Sequence, residues 1–334
     1  MEELTVCRYW EPGEGTVNCH LCPWQCRVKP DSVGFCGVRR NVGGTLRSLN
    51  YGRVTSIGLD PIEKKPLYHF HPGSTILSLG TFGCNLSCSF CQNWEISKGQ
   101  PATQALPPRE ALRLAEEQRA ANGSIGLAYT YNEPFIWYEY VADTAPLIHE
   151  AGMKNVLVTN GMVEPEPLEA LLPYIDAMNV DVKFWSKKKY EELCGGPGWH
   201  ARDTVELASG KCHVEITVLI IPGYNDTDEE LVPLFDWAAS VDRTMAVHIS
   251  RYHPAFKLQA PPTPPEAMLH AYELARQRLD HVYVGNLYLP GTTDTECAQC
   301  GAVLVERSGY AVVVAGIDAE GRCKSCGKQS SILP

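Results

Sequence analysis

The chain has 334 residues, 44% of them hydrophobic and 20% charged. That composition excludes a disordered chain. At about 150 residues per domain it allows two domains, or one large α/β domain with appendages. With 29 basic against 39 acidic residues the net charge is −10, so a polyanion is repelled on average and nucleic acid is disfavoured as a partner. The longest apolar runs, such as Ala311 to Ile317, fall far short of the roughly 20 residues that span a bilayer. The start, MEELTVCRYW, has no basic stretch leading into an apolar one, so no secretory signal is expected.

The unusual figure is 14 cysteines. Short spacings without an export signal point to metal ligands in a reduced, cytoplasmic protein rather than to disulfides. The first group, in CHLCPWQC with Cys36 beyond it, reads C-x2-C-x3-C-x9-C over Cys19, Cys22, Cys26 and Cys36. Zinc and an auxiliary [4Fe–4S] cluster both take four thiolates, so the metal stays open here, and an auxiliary cluster would relay electrons. Cys7 or His20 is an alternative fourth ligand, and a packed cysteine-rich cap is the bland reading. In DPIEKKP, Glu63 beside Lys64 and Lys65 reads as a solvated turn. His69 and His71 alternate as in a strand and read as a packed or solvated pair. Cys194 and Cys212 read as small buried hydrophobes, Cys7 less firmly so.

From Thr75 the chain alternates strand and helix. Expected strands are Thr75 to Leu79, Ile125 to Thr130, Asn155 to Thr159, Met178 to Phe184, Val214 to Ile221, Ala246 to Ser250 and Val282 to Val284. Expected helices are Phe135 to Ile148, Leu168 to Tyr174, Asp228 to Ala239 and Met268 to Leu279, with a charged segment from Lys187 to Leu193. Tyr131, Trp137, Tyr138 and Tyr140 read as packing rather than a radical relay. Such alternation means parallel strands with crossover helices. The expected fold is α/β: a partial TIM-type (β/α)6 barrel with an N-terminal cysteine-rich cap and a C-terminal zinc-ribbon-like module. A doubly wound sheet is the alternative. Expected boundaries are 1–73, 74–286 and 287–334. A barrel puts its chemistry at the C-terminal strand ends. That rule selects Cys84 to Cys91, Tyr131 to Glu133, Thr159 to Gly161, Asp181 to Lys183, Asn225 with Asp226, and Arg251 to His253.

At the end, ECAQCG and RCKSCG give C-x2-C-x22-C-x2-C over Cys297, Cys300, Cys323 and Cys326. Each pair precedes a glycine that permits a tight turn. This is a four-sulfur site for zinc or iron, with zinc favoured by the spacing. The few nearby cations speak against a nucleic-acid-binding ribbon.

In GCNLSCSFCQNW, Cys84, Cys88 and Cys91 stand in a C-x3-C-x2-C arrangement. Three thiolates on one loop can bind three irons of a [4Fe–4S] cube and leave the fourth open. A structural zinc would want four closed ligands. The loop, with Phe90 before its last cysteine, resembles the radical S-adenosylmethionine (SAM) motif. DPIEKKPLYHFHPG, AYTYNEP, VTNG, DVKF and the terminal cysteine block together resemble the radical SAM member of the AmmeMemoRadiSam system. That group is related to pyruvate formate-lyase activases.

The resemblance implies a [4Fe–4S] cluster on Cys84, Cys88 and Cys91, and SAM near Phe90, Asn132, Glu133, Thr159, Asn160, Asp181, Lys183 and His253. Glu133 would take the methionine ammonium and Lys183 its carboxylate. Tyr131 and Asn132 replace the family's two glycines, and Thr217 stands where the activases have an arginine. The expected activity is reductive cleavage of SAM to a 5′-deoxyadenosyl radical that abstracts hydrogen from an unidentified substrate. The alternatives are a glycyl-radical activase acting on a partner protein and a non-catalytic zinc-scaffold or RNA-binding protein. Implied partners are a flavodoxin- or ferredoxin-type donor and Memo-like and AMMECR1-like proteins.

Overall fold

The computed structural model describes residues 4–334; the first three residues of MEELTVCRYW lie outside the described part. Eight strands form its main sheet: β1 (Ser56–Pro61), β2 (Thr75–Gly80), β3 (Gly126–Tyr129), β4 (Lys154–Thr159), β5 (Ala177–Asp181), β6 (His213–Ile220), β7 (Val247–Arg251) and β8 (Val282–Gly285). They neighbour one another in strict chain order. Strands β2 to β8 are parallel, and β1 runs antiparallel to β2. The order never reverses, so the doubly wound alternative is excluded. Strand β1 had no counterpart among the expected elements. Side chains on both faces are covered, which is why β3 is buried at every position and reads as a continuous apolar run. Gly126 is required there: a Cβ would lie 1.9 Å from the Lys154 carbonyl oxygen on β4.

Six helices fill the crossovers: α1 (Pro108–Asn122), α2 (Tyr138–Glu150), α3 (Pro165–Leu171), α4 (Ala201–Ala208), α5 (Asp228–Val241) and α6 (Pro265–Arg276). Helix α1 went unread because its only buried side chains are Ala111 and Ala115, too small to mark an apolar stripe. Proline opens it and left-handed Gly123 (φ 66°) closes it, accepting the role of a C-terminal cap. Helix α3 begins at Pro165, ahead of the expected start at Leu168, because a first-turn proline forfeits no hydrogen bond. A 3₁₀ turn, Pro134–Trp137, enters α2 in place of its expected first turn.

The N-terminal part is a three-stranded antiparallel sheet (Trp10–Gly13, Thr16–Cys19, Arg27–Val28) and a hairpin (Arg39–Val42, Thr45–Ser48). Buried Arg39 ties it to α2 through Glu139 at 3.1 Å. No helix among the described residues is long and apolar enough to cross a membrane. All 14 cysteines are free thiols.

The N-terminal ends of β6 to β8 are closed by a polar plug. Fully buried Glu215 accepts the backbone N–H groups of Tyr68 and His69 at 2.9 and 2.8 Å. It also meets His213 Nε2 and His248 Nε2 at 2.9 and 2.6 Å. Burial opposes its charge, but the two imidazoles hold its carboxyl well below the usual range. His69 is buried and meets Ser331 and Tyr283, whereas His71 adopts φ 44°, so the two do not form the expected strand-like pair. DPIEKKP is not a solvated turn either: Glu63 and Lys65 are buried, and Lys65 pairs with Asp60 at 2.7 Å. A three-stranded antiparallel module (Thr295–Glu296, Val303–Ser308, Ala311–Val314) covers this end. Its Arg307 lies over the Tyr68 ring, 4.2 Å from the centroid.

Replacing Glu215 by Ala strands two amides and two imidazoles in the plug. The expected loss is about 3–5 kcal/mol, read by chemical denaturation. A loss within experimental error would show that the plug does not hold this end together.

Candidate active site

At the other end of the sheet the chain leaves β2 through Gly83 and enters the three-cysteine loop. Gly83 has φ 90°, and a Cβ would meet Val38 Cγ1 at 2.6 Å and the Cys36 carbonyl oxygen at 2.7 Å. The loop is fixed by backbone bonds on two sides. Cys84 N–H donates to Cys36 O at 3.3 Å, and the amides of Ser87 and Ser89 donate to Cys194 O and Leu193 O, each at 2.7 Å. Asn132 clamps it from β3: its oxygen accepts from Thr81 N–H and its amide donates to Gly83 O. Both ends of the Asn132 side chain are therefore spent on the loop, which makes it a positioning residue rather than a free ligand group.

The three thiols border one cavity of about 550 Å³. Phe90, Asn132, Glu133, Thr159, Asn160, Asp181 and Lys183 border the same space. His253 does not: after buried Tyr252 the chain turns outward and leaves His253 exposed. The expected role of His253 beside a nucleoside therefore lacks a place in this cavity.

Glu133 is the most constrained charge in the site. Its Oε1 accepts from Phe135 N–H at 2.9 Å and from the Thr159 hydroxyl at 2.8 Å, and Oε2 accepts from Asn160 N–H at 2.8 Å. Burial pushes its carboxyl up to about 7, against the pull of those three donors and of Lys183. A carboxylate offers about four acceptor positions, so one remains open to a cation. Lys183 Nζ lies 2.9 Å from Asp181. Burial disfavours its charge, yet Asp181 and the sulfurs of Cys88 and Cys194 hold it above the usual lysine range. Asn160 reaches Cys84 Sγ at 3.7 Å and Asn85 at 2.9 Å.

Several neighbours escaped sequence reasoning. Cys194 is buried among apolar side chains as expected, but its backbone carbonyl also accepts the Ser87 amide. Lys64 and Lys65, both held by Asp60, reach the far wall of the cavity, as do Ser250 and Asn286. Tyr131 takes a left-handed backbone (φ 71°) and folds its ring over Gly80, so that its hydroxyl donates to Asp60 at 2.7 Å. The usable signal was Asp60 preceding two lysines, a pattern that permits one carboxylate to hold both.

The C-terminal cysteines are arranged differently. Cys297 and Cys326 lie 3.6 Å apart (Sγ to Sγ), Cys300 and Cys323 3.7 Å apart, and all four sulfurs fall within 4.8 Å of one another. Left-handed Gly301 and Gly327 follow the two pairs. This group could bind a metal ion.

The geometry has its counterpart in known proteins. Residues 78–238 match the family model described as the radical SAM superfamily. The chain belongs to the radical SAM superfamily. It is 38% identical over 333 residues to the uncharacterized protein MJ0808 of Methanocaldococcus jannaschii, covering 97% of this chain and 98% of that one. It is 26% identical over 186 residues to the pyruvate formate-lyase-activating enzyme of Staphylococcus aureus, covering 52% of this chain and 73% of that one. Among solved structures, SuiB of Streptococcus suis bound to S-adenosylmethionine shares the fold, with a TM-score of 0.51 and 15% identity over 64% of this chain and 52% of that one. The protein is thus a radical SAM enzyme, which sets aside the non-catalytic scaffold reading. The superfamily implies a [4Fe–4S] cluster and SAM.

Gly83→Ala should force the cysteine loop away from the Val38 and Cys36 backbone. The expected cost is about 1–3 kcal/mol in thermal or chemical denaturation. An unchanged midpoint would show that the loop is not seated on the N-terminal part as described.

Proposed function

We propose that Cys84, Cys88 and Cys91 hold the [4Fe–4S] cluster and leave one iron for SAM. The carrying observation is that three thiols, a buried carboxylate with one acceptor position left and a half-buried lysine border a single cavity. When bound, a reduced cluster supplies the electron that cleaves SAM to a 5′-deoxyadenosyl radical, which abstracts hydrogen from the substrate. The chain's own residues orient and shield. Glu133 takes the methionine ammonium, Lys183 uses a donor not spent on Asp181 for the carboxylate, and Phe90 packs near the adenine. Thr159 and Asn160 keep Glu133 aimed, Asn160 also supports Cys84, and Asn132 fixes the loop. Lys64, Lys65, Ser250 and Asn286 then border the space left for substrate.

The barrel reading of the sheet, the divisions 1–73, 74–286 and 287–334, and a cytoplasmic location belong to the same proposal. So do a single zinc ion on Cys297, Cys300, Cys323 and Cys326, and a second metal on Cys19, Cys22, Cys26 and Cys36. In this reading the protein is the radical SAM member of the AmmeMemoRadiSam system. It takes electrons from a flavodoxin- or ferredoxin-type donor and associates with Memo-like and AMMECR1-like proteins. The likeness to pyruvate formate-lyase-activating enzymes favours a second reading, in which the substrate is a glycine of a partner protein.

Cys91→Ala should abolish 5′-deoxyadenosine formation by the anaerobically reconstituted, reduced protein while the circular dichroism spectrum stays unchanged. Turnover surviving in that variant, or no 5′-deoxyadenosine from the wild type under a strong reductant, would refute the assignment.

The raised Glu133 carboxyl sets a pH dependence. It is protonated below about 7 and must lose that proton before it can pair with an ammonium. SAM affinity of the cluster-loaded protein should therefore hold above about pH 7 and weaken about tenfold per unit below it. Glu133→Gln should lower the affinity and flatten that slope. Equilibrium binding across the range reads both effects, and an unaltered slope in the variant would dissociate Glu133 from the ammonium.

A further inference from the structure

The four N-terminal cysteines play no part in SAM cleavage as described. Cys19, Cys22, Cys26 and Cys36 border a small buried cavity of their own, together with Arg39. We infer that these four thiols hold a second [4Fe–4S] cluster, adjacent to the first. The inference rests on the assignment of the first cluster to Cys84, Cys88 and Cys91.

Sulfur spacing separates a cluster from a single ion. A tetrahedral ion with metal–sulfur bonds of about 2.3 Å keeps its sulfurs roughly 3.8 Å apart. The C-terminal set already shows that spacing, at 3.6 and 3.7 Å. Among the described residues it is the one group in which three or more ligand atoms lie within 4.8 Å of one another. No three of the N-terminal thiols come within that distance of one another, nor do Cys84, Cys88 and Cys91. A cube needs that width, because its irons rather than one centre receive the sulfurs. The sequence spacing agrees: C-x2-C-x3-C is C-x3-C-x2-C read backwards, so each loop presents three thiols over the same span. Cys36 supplies the fourth.

The surroundings supply a positive charge: Arg39 borders the same cavity as the four thiols. Arg39 is 2% exposed, and its Nε–H has no partner. A buried donor without an acceptor is costly, and a cluster sulfur in the cavity that Arg39 borders would supply one. The alternative ligands fall away. The His20 ring faces Gln25 and Glu11, and Cys7 does not border the cavity.

Position gives the site its use. The amide of Cys84, a ligand of the first cluster, donates to the carbonyl of Cys36, a ligand of the second. Trp24 Nε1 donates to Asn85 O at 2.7 Å beside the same contact. Cys26 is only half-buried and Phe35 is exposed, so the outer edge of the site meets solvent. A low-potential donor of the ferredoxin or flavodoxin class reduces the second cluster by one electron. The cluster is reoxidised as that electron passes to the first, and no bond or proton moves.

The test uses the anaerobically reconstituted full chain. The triple variant Cys84→Ala/Cys88→Ala/Cys91→Ala should retain about four irons and about four sulfides. Its dithionite-reduced paramagnetic resonance signal should not respond to SAM. Adding Cys22→Ala and Cys26→Ala should remove that iron and leave any C-terminal metal in place. An iron-free triple variant, one with about two irons, or one carrying zinc on these thiols would overturn the inference. If the triple variant fails to fold by circular dichroism, the wild type is compared with Cys22→Ala/Cys26→Ala. Iron should then fall from about eight to about four per chain, and no fall would overturn the inference. Fully reduced wild type should also show magnetic coupling between two centres that disappears in either variant; uncoupled signals would contradict the adjacency. Failure of the first-cluster assignment has a separate signature, namely wild-type iron no higher than in the triple variant and no SAM-sensitive signal.

Discussion

Three thiols can face one cavity only if the loop that carries them is held from outside, because a short cysteine loop has no core of its own. Here the holding is done by backbone. Cys36 O receives the amide of Cys84, Leu193 O and Cys194 O receive those of Ser89 and Ser87, and Asn132 bonds to both Thr81 and Gly83. The first contact comes from the N-terminal part, the second from the turn after β5 and the third from the end of β3. Three separate stretches of chain therefore have to be in place before the thiols converge. Gly83 is the point where that convergence leaves no room for a side chain.

Electrostatics at the two ends of the sheet work in opposite senses. At the N-terminal ends Glu215 is surrounded by donors and stays ionised, which suits a plug that must not change. At the C-terminal ends Glu133 has donors too, but burial outweighs them and leaves it poised near neutrality. A poised carboxylate is the more useful one in a binding site, because an arriving ammonium can complete its partners. Lys65, Asp60 and Tyr131 extend the pattern along the cavity wall, with one carboxylate serving two lysines and a phenol.

Much of this was legible in the sequence. The alternation of apolar runs and polar turns marked all seven parallel strands, since buried parallel strands are nearly continuous hydrophobic stretches. The three-cysteine spacing singled out the loop, and the strand-end rule led to Glu133 and Lys183. Helix α1 stayed hidden because alanines carry its buried face. Lys65 and Glu63 were misread because charged residues are rarely buried, and only the three-dimensional contacts with Asp60 and Gly73 explain them. His253 was selected by motif position, and the outward turn after Tyr252 cannot be seen in the letters RYH. The part the Cys194 carbonyl plays was invisible for a related reason: no local pattern reports that it will accept the amide of Ser87, more than 100 residues away in the chain.

The account turns on an iron of the Cys84, Cys88 and Cys91 cluster that is open to SAM. The most direct measurement is electron–nuclear double resonance on the reduced, cluster-loaded protein with SAM labelled at its amino nitrogen and carboxylate oxygen. Hyperfine coupling to both labels is predicted, with the nitrogen coupling lost when Glu133 is replaced by Gln. A cluster signal free of coupling to either label would mean that no iron is open to SAM, and would contradict the account.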